Sequence, residues 1–183
     1  MPRTGTTSLS IGLTKMGFKT CHCVFNDKLY DKADAFADTP IFADYKELSL
    51  RFPDAKFIYT ERPANTWIKS FMRVYPYFAM DLQLEDTAER IITKKAYEKV
   101  FGAIHFNKHL LIDQFLAHQS EVREYFEGSK QLLPISINDP LAFNKVNGFL
   151  ELDDLNGSFP QVNAGMQVKG WDEWNHPNKM PSL

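Results

Sequence analysis

At 183 residues, with 44% hydrophobic and 14% aromatic residues, the chain is long enough to bury a core without metal or disulfide support and too short for two large domains, so a single domain over residues 1–183 is expected. Its 21 lysines and arginines stand against 23 aspartates and glutamates, a formal charge of −2 that excludes a global basic field for nucleic acid, so any anion must be held by a local arrangement. No run of about 18 apolar residues and no apolar leader after Met1-Pro2-Arg3 appears, and the two cysteines, Cys21 and Cys23, are too close to close a useful loop, so a cytoplasmic protein that does not span a membrane is expected.

In chain order, hydroxyl residues at Thr6 to Ser8, then Leu9, Leu13 and Met16 on one face and Gly17 as a stop, predict a short amphipathic helix. Lys19 to Phe25 reads as a strand, Tyr30 to Phe36 as a short helical piece, and Tyr45 to Phe52 as a helix ended by Pro53. The β-rich run Lys56 to Thr60 predicts a buried strand. Pro63 suits the first turn of a following helix that carries Trp67, Phe71 and Val74. Leu84 to Phe126 is helical in pattern with a break near Gly102. Gln131 to Ile137 is a second strand, placed at an edge or bulge by Pro134, and Asp139-Pro140 opens a helix with Leu141, Val146, Phe149 and Leu150. From Asp153 onward the periodicity is lost, and residues 153–183 are expected to wrap irregularly over the same domain. Strands alternating with helices predict a parallel α/β sheet.

Two segments carry chemistry. Pro2-Arg3-Thr4-Gly5-Thr6-Thr7-Ser8 is a turn of small and hydroxyl residues running straight into a helix, which reads either as a well-capped helix start or as a cradle whose amides face an anion. Thr6 stands where a nucleoside-triphosphatase loop has its lysine, and the cation is Arg3, ahead of the glycine. Arg62 closes the strand, and Ser70 follows two helical turns later. A guanidinium fork with a serine hydroxyl suits a phosphate, and ligands of open parallel sheets gather at the carboxyl ends of strands.

Together and in this order, these segments resemble the sulfotransferases. Pro2 to Thr7 is similar to their 5′-phosphosulfate loop, and Phe57 to Pro63 with Trp67 and Ser70 is similar to their 3′-phosphate motif. The likeness extends to Asp38-Thr39-Pro40, to His118 with Val122 to Phe126, and to Phe149-Leu150 with Phe159 to Asn163. The resemblance implies a three-layer α/β/α architecture of the P-loop type with a central, mainly parallel sheet. It also implies transfer of a sulfuryl group from 3′-phosphoadenosine 5′-phosphosulfate (PAPS), without a metal, to a hydroxyl or amine of a small-molecule or glycan acceptor. On that reading Arg3, Thr4, Gly5, Thr6, Thr7 and Ser8 hold the 5′-phosphosulfate, with Arg3 also stabilising charge on the leaving phosphate, and Arg62 and Ser70 hold the 3′-phosphate. Asp38 is the expected base, with His22 in reserve. The strand that leads into the loop in that family has no counterpart between Met1 and the loop. Only Val168-Lys169-Gly170 is left of a basic stretch near the C-terminus.

Other groupings are weaker. Cys21-His22-Cys23 lacks the second pair of ligands a closed zinc site needs, and His105 and His109, four apart on a helix, lack the glutamate of a zinc-protease motif. Trp171 and Trp174 either pack the tail onto the domain or contact an acceptor or partner. Two rival readings stay open: a non-catalytic family member serving as a binding module, and a nucleotide-binding phosphotransferase. The acceptor is expected to be chosen within Tyr75 to His109.

Overall fold

The structure is a computed structural model and describes residues 1–102, 107–153, 157–160, 162 and 170–183. It is a mixed α/β fold whose strands pair in parallel. In chain order come α1 (Thr6–Lys15), β1 (Thr20–Cys21), β2 (Ala35–Phe36), α2 (Tyr45–Arg51), β3 (Phe57–Glu61), α3 (Ala64–Asp81), α4 (Ala88–Phe101), α5 (Lys108–Tyr125), β4 (Leu132–Ser136) and α6 (Ala142–Phe149), with 3₁₀ turns at Asp27–Asp31 and Trp171–Glu173. β1 pairs with β2 and β3 with β4, as two two-stranded sheets.

The firmest strand expectation holds. β3 alternates, with Phe57 and Tyr59 packed against Tyr45 of α2 and Val122 and Phe126 at the end of α5, while Ile58 packs with Leu9 and Leu13 of α1 and Val146 of α6. Helices therefore cover both faces of the β3–β4 pair, as buried parallel strands require. Pro134 is tolerated for a reason visible in the register. It lies opposite Tyr59, and because Phe57 N–H donates to Gln131 O (2.6 Å), β4 turns its odd-numbered amides toward β3 and its even-numbered positions away.

Two expectations need correction. Tyr30 to Phe36 is not helical: a 3₁₀ turn capped by the Asn26 side chain, which accepts from Lys28 N–H, ends at Asp31, and Ala35–Phe36 joins β1 as a strand. The apolar spacing that suggested a helix face comes from the turn itself, which folds the Tyr30 ring onto Phe36 at 4.9 Å. Of Lys19 to Phe25 only Thr20–Cys21 is strand, because Val24 N–H donates to Thr39 O and Phe25 N–H to Ser182 O, outside any ladder.

The largest core lies among α3, α4 and α5. Fully buried Trp67 stacks on Phe115 (4.1 Å) and Phe71 (4.7 Å), and Phe42, Tyr75, Tyr97, Phe101 and Leu111 complete the cluster. Gly102, with φ +74, ends α4 where the break was expected. Among the described residues no helix is long and apolar enough to cross a membrane. Residues 170–183 are tied back to the domain: Thr20 N–H donates to Asn178 O, Met180 N–H to Thr20 O, and Asn178 Nδ2 to Thr14 O.

Candidate functional site

Gly5 sits at the start of α1 with φ +110, and a β-carbon there would fall 2.8 Å from Ile137 Cγ2, so neither the backbone angle nor the space admits a side chain. The expected hydroxyl cap does not form, since no side chain caps α1. The first intrahelical bond from Leu9 N–H runs to Gly5 O (3.0 Å), and the amides of Thr6, Thr7 and Ser8 are left at the helix tip without an intrahelical acceptor. Loop carbonyls are drawn the other way: Trp67 Nε1 donates to Pro2 O (3.0 Å) and Arg62 Nη1 to Arg3 O (3.0 Å). The loop thus offers N–H groups and the positive end of the helix dipole.

Pro2 to Ser8 and Arg62 line a polar cavity of about 640 Å³, which Ser70 reaches only through its bond to Arg3. His22 follows β1, Asp38 follows β2, Arg62 follows β3, and Ser136 to Asn138 close β4, so all four strands deliver a side chain or turn to it at their carboxyl ends. The two segments singled out in the sequence meet directly, for Arg3 Nε donates to Ser70 Oγ at 3.1 Å. Burial, then the nearby positive charge of Arg62, and further that of Arg73, hold the Arg3 guanidinium below its ordinary pKa, while Asp38 opposes the shift. Burial and then Arg73 do the same to Arg62. Crowded guanidiniums beside orphan amides make a site whose electrostatic deficit an anion relieves.

The loop hydroxyls divide. Thr4 Oγ1 is turned inward, donating to Met1 O (2.6 Å) and bonded to Thr60 Oγ1 (2.6 Å), so its hydroxyl braces the loop on β3. Ser8 Oγ accepts from Val162 N–H (3.3 Å), while Thr6 Oγ1 donates to Asp38 Oδ2 (2.6 Å). Ser70 is buried on α3 against Arg3, and Arg62 Nε donates to Thr66 Oγ1 (3.3 Å).

The two candidate bases are neighbours, His22 Nε2 lying 3.7 Å from Asp38 Oδ2. Ser10 Oγ donates its proton to Thr6 O (2.9 Å), so it accepts from His22 Nδ1–H (3.1 Å), which leaves Nε2 as an acceptor facing Thr7 Oγ1 (3.3 Å). Burial holds the His22 pKa below its usual value against the pull of Asp38 and Asp172, keeping the ring neutral at pH 7. Trp171 packs on that ring with centroids 5.5 Å apart. The thiol of Cys21 donates to Cys23 O and Pro181 O and is pushed up to about 11 by burial.

Sequence reasoning missed Thr66, Arg73, Tyr97 and Ser136 to Asn138. Thr66 was legible as the residue one turn after Arg62, and Ser136 to Asn138 as the end of a predicted parallel strand; Tyr97 carries no local signal. His109 is the second residue of α5, whereas His105, Val168 and Lys169 lie outside the described residues. Among the described residues no three metal-ligating side chains cluster.

In physical terms the arrangement gathers backbone N–H groups and two guanidiniums, Arg3 and Arg62, at the carboxyl ends of the strands. Comparison with known families gives it a class: a sulfotransferase domain model matches residues 24–168, and the chain belongs to the sulfotransferase domain family, a family of transferases. The match contains Asp38, Arg62 and Ser70 and begins after the loop. No curated protein gives a match to this chain.

Proposed function

We propose that the protein transfers a sulfuryl group from PAPS to a hydroxyl or amine of a small-molecule or glycan acceptor, in a domain of three-layer α/β/α, P-loop type. The reading rests on one observation: the loop amides with Arg3, and the strand-end Arg62, line one cavity and are bonded to each other through Arg3. The amides of Thr6, Thr7 and Ser8 with the Thr6 and Thr7 hydroxyls receive the 5′-phosphosulfate. Arg62 and Ser70 receive the 3′-phosphate, Ser70 exchanging its bond to Arg3.

In the transfer, the acceptor oxygen or nitrogen forms a bond to sulfur while the bond from sulfur to the bridging oxygen breaks, its electron pair leaving on 3′-phosphoadenosine 5′-phosphate. Arg3 faces that growing charge, and the fixed amides need no reorganisation to meet it. The acceptor proton passes to the Asp38 carboxylate, which Thr6 Oγ1 aims at 2.6 Å, while neutral His22 stands at 3.7 Å as the reserve acceptor.

Titration calorimetry with 3′-phosphoadenosine 5′-phosphate and with ATP, followed by label transfer from sulfur-labelled PAPS to a panel of phenols, amines and glycans, tests this. Binding of the first nucleotide in preference to ATP, with labelled product, is expected. Preference for ATP would point to phosphotransfer, and binding of neither to a non-catalytic module; both results overturn the proposal.

A further inference from the structure

One side chain of the polar cavity has no part in holding the donor. Tyr97 lies on the face of α4 that packs into the core, with Ala96 and Phe101. The residue is 7% exposed, and its ring is surrounded by phenylalanines: Phe78 at 4.4 Å, Phe42 edge-on at 5.5 Å, Phe101 at 5.6 Å and Phe71 at 6.4 Å between ring centroids. Nothing in that cluster asks for a polar atom, and a phenylalanine would fill the same space. Among the described residues the Tyr97 hydroxyl has no hydrogen-bond partner, yet it is not enclosed as the unpartnered Tyr45 Oη is, because Tyr97 lines the polar cavity. An unpaired hydroxyl at that boundary is open to a ligand.

Its place there is fixed from two sides. Phe42, whose ring edge meets Tyr97, donates its N–H to Asp38 O at 3.0 Å. Phe71, whose ring stacks toward Tyr97 from the other side chain layer of the core, follows Ser70, which accepts from Arg3 Nε at 3.1 Å. The phenol is thus packed between the turn that carries Asp38 and the helix that holds Arg3. Both charges act on it: burial, then Asp38, hold its pKa well above the ordinary value while Arg3 opposes, so the hydroxyl keeps its proton at pH 7. In the Asp38 carboxylate, Oδ2 is taken by Thr6 Oγ1 (2.6 Å), whereas Oδ1 receives only a long bond of 3.4 Å from Thr39 Oγ1 and has room for a proton donor.

Asp38 and Tyr97 offer complementary functions, one accepting a proton and the other donating one. An alcohol or phenol oxygen has one proton and two lone pairs. With its proton on Asp38 Oδ1 and one lone pair receiving the Tyr97 O–H, its remaining lone pair is the one turned to sulfur. A neutral amine nitrogen has a single lone pair, which the bond to sulfur needs, so it has nothing with which to accept from Tyr97. On the sulfuryl-transfer reading, which this inference rests on, we propose that Tyr97 is a catalytic residue that orients the nucleophile, and that the acceptor is an alcohol or a phenol. In the step the acceptor oxygen bonds to sulfur as the bond from sulfur to the bridging oxygen breaks. The electron pair leaves on 3′-phosphoadenosine 5′-phosphate, the acceptor proton passes to Asp38, and Tyr97 keeps its own proton throughout.

Tyr97→Phe tests this, because it keeps every ring contact and removes a hydroxyl that no described residue uses, so its denaturation curve should match wild type. Transfer from sulfur-labelled PAPS is measured to phenols, aliphatic alcohols, amines and water, beside calorimetry with 3′-phosphoadenosine 5′-phosphate. Wild type should label hydroxyl acceptors. In Tyr97→Phe the kcat for them should fall by about tenfold or more, with nucleotide affinity within about threefold of wild type and any slow transfer to amines unchanged. The assignment fails if hydroxyl rates fall by less than that, if stability or nucleotide affinity falls with the rate, if amines lose as much, or if wild type labels amines alone. Each of these leaves the sulfuryl-transfer reading standing, whereas a wild type that passes label to no acceptor, water included, overturns both.

Discussion

Replacing Arg62 with alanine separates ligand binding from loop bracing. In the structure Arg62 makes one bond of 3.0 Å to Arg3 O and one of 3.3 Å to Thr66 Oγ1. A 3′-phosphate would receive two charge-assisted bonds in their place, each worth about 1.5–3 kcal/mol. Partial exposure of the guanidinium and relief of its repulsion with Arg3 both reduce the loss. The expected net effect is about 2 kcal/mol, or about a thirtyfold weaker binding of 3′-phosphoadenosine 5′-phosphate by calorimetry. Adenosine 5′-phosphosulfate, which lacks the 3′-phosphate, provides the control and should bind Arg62→Ala within about threefold of wild type. Equal losses for both ligands would mean that Arg62 acts only by holding the loop carbonyl, and an unchanged affinity for the 3′-phosphorylated nucleotide would refute the assignment outright.

Asp38→Asn should lower the transfer rate by about 10²–10⁴-fold while leaving donor affinity nearly unchanged; a rate within threefold of wild type would transfer the proton to His22 or water. Gly5→Ala forces a side chain into φ +110 and against Ile137, so chemical denaturation should show a loss of about 1–3 kcal/mol. Trp67→Ala removes a fully buried ring stacked on Phe71 and Phe115 and should cost about 3–5 kcal/mol, with loss of donor binding in whatever fraction stays folded, because Pro2 O loses its anchor. His118 is buried between Tyr59 Oη (3.2 Å) and Phe42 O (2.8 Å), and burial lowers its pKa from 6.5 to about 4. Since the unfolded chain takes up this proton first, the contribution is complete above pH 6.5 and is lost as pH falls toward 4, by at most about 3 kcal/mol. Stability curves of His118→Gln should lack that segment of the acid decline.

Elements with a short, dense local code were legible. Lys56 to Thr60 followed by Pro63 identifies β3 and the start of α3, and Gly102 identifies the break between α4 and α5. Where backbone partners come from far along the chain, the local pattern misled: the ladder of Ala35–Phe36 with Thr20–Cys21 overrides the helical spacing at Tyr30, and Phe25 answers to Ser182. The site divides in the same way. Arg3, Arg62 and Ser70 were readable because each lies in a short segment that resembles the family's motifs, although Arg3 and Ser70 meet across 67 residues. The inward turn of Thr4 depends on Thr60, and the tautomer of His22 on a bond Ser10 makes to Thr6, neither of which periodicity can register.

Thr14 and Thr20 are wholly buried, and both are answered by the end of the chain, through Trp174 Nε1 and Asn178 Nδ2 on Thr14 and Asn178 O on Thr20 N–H. During synthesis α1 emerges well before Trp174, so its polar interior face stays unclosed until some 160 residues later. The C-terminal end of α1, opposite the loop, is therefore latched by the segment around Trp174 and Asn178, and only after translation has delivered it.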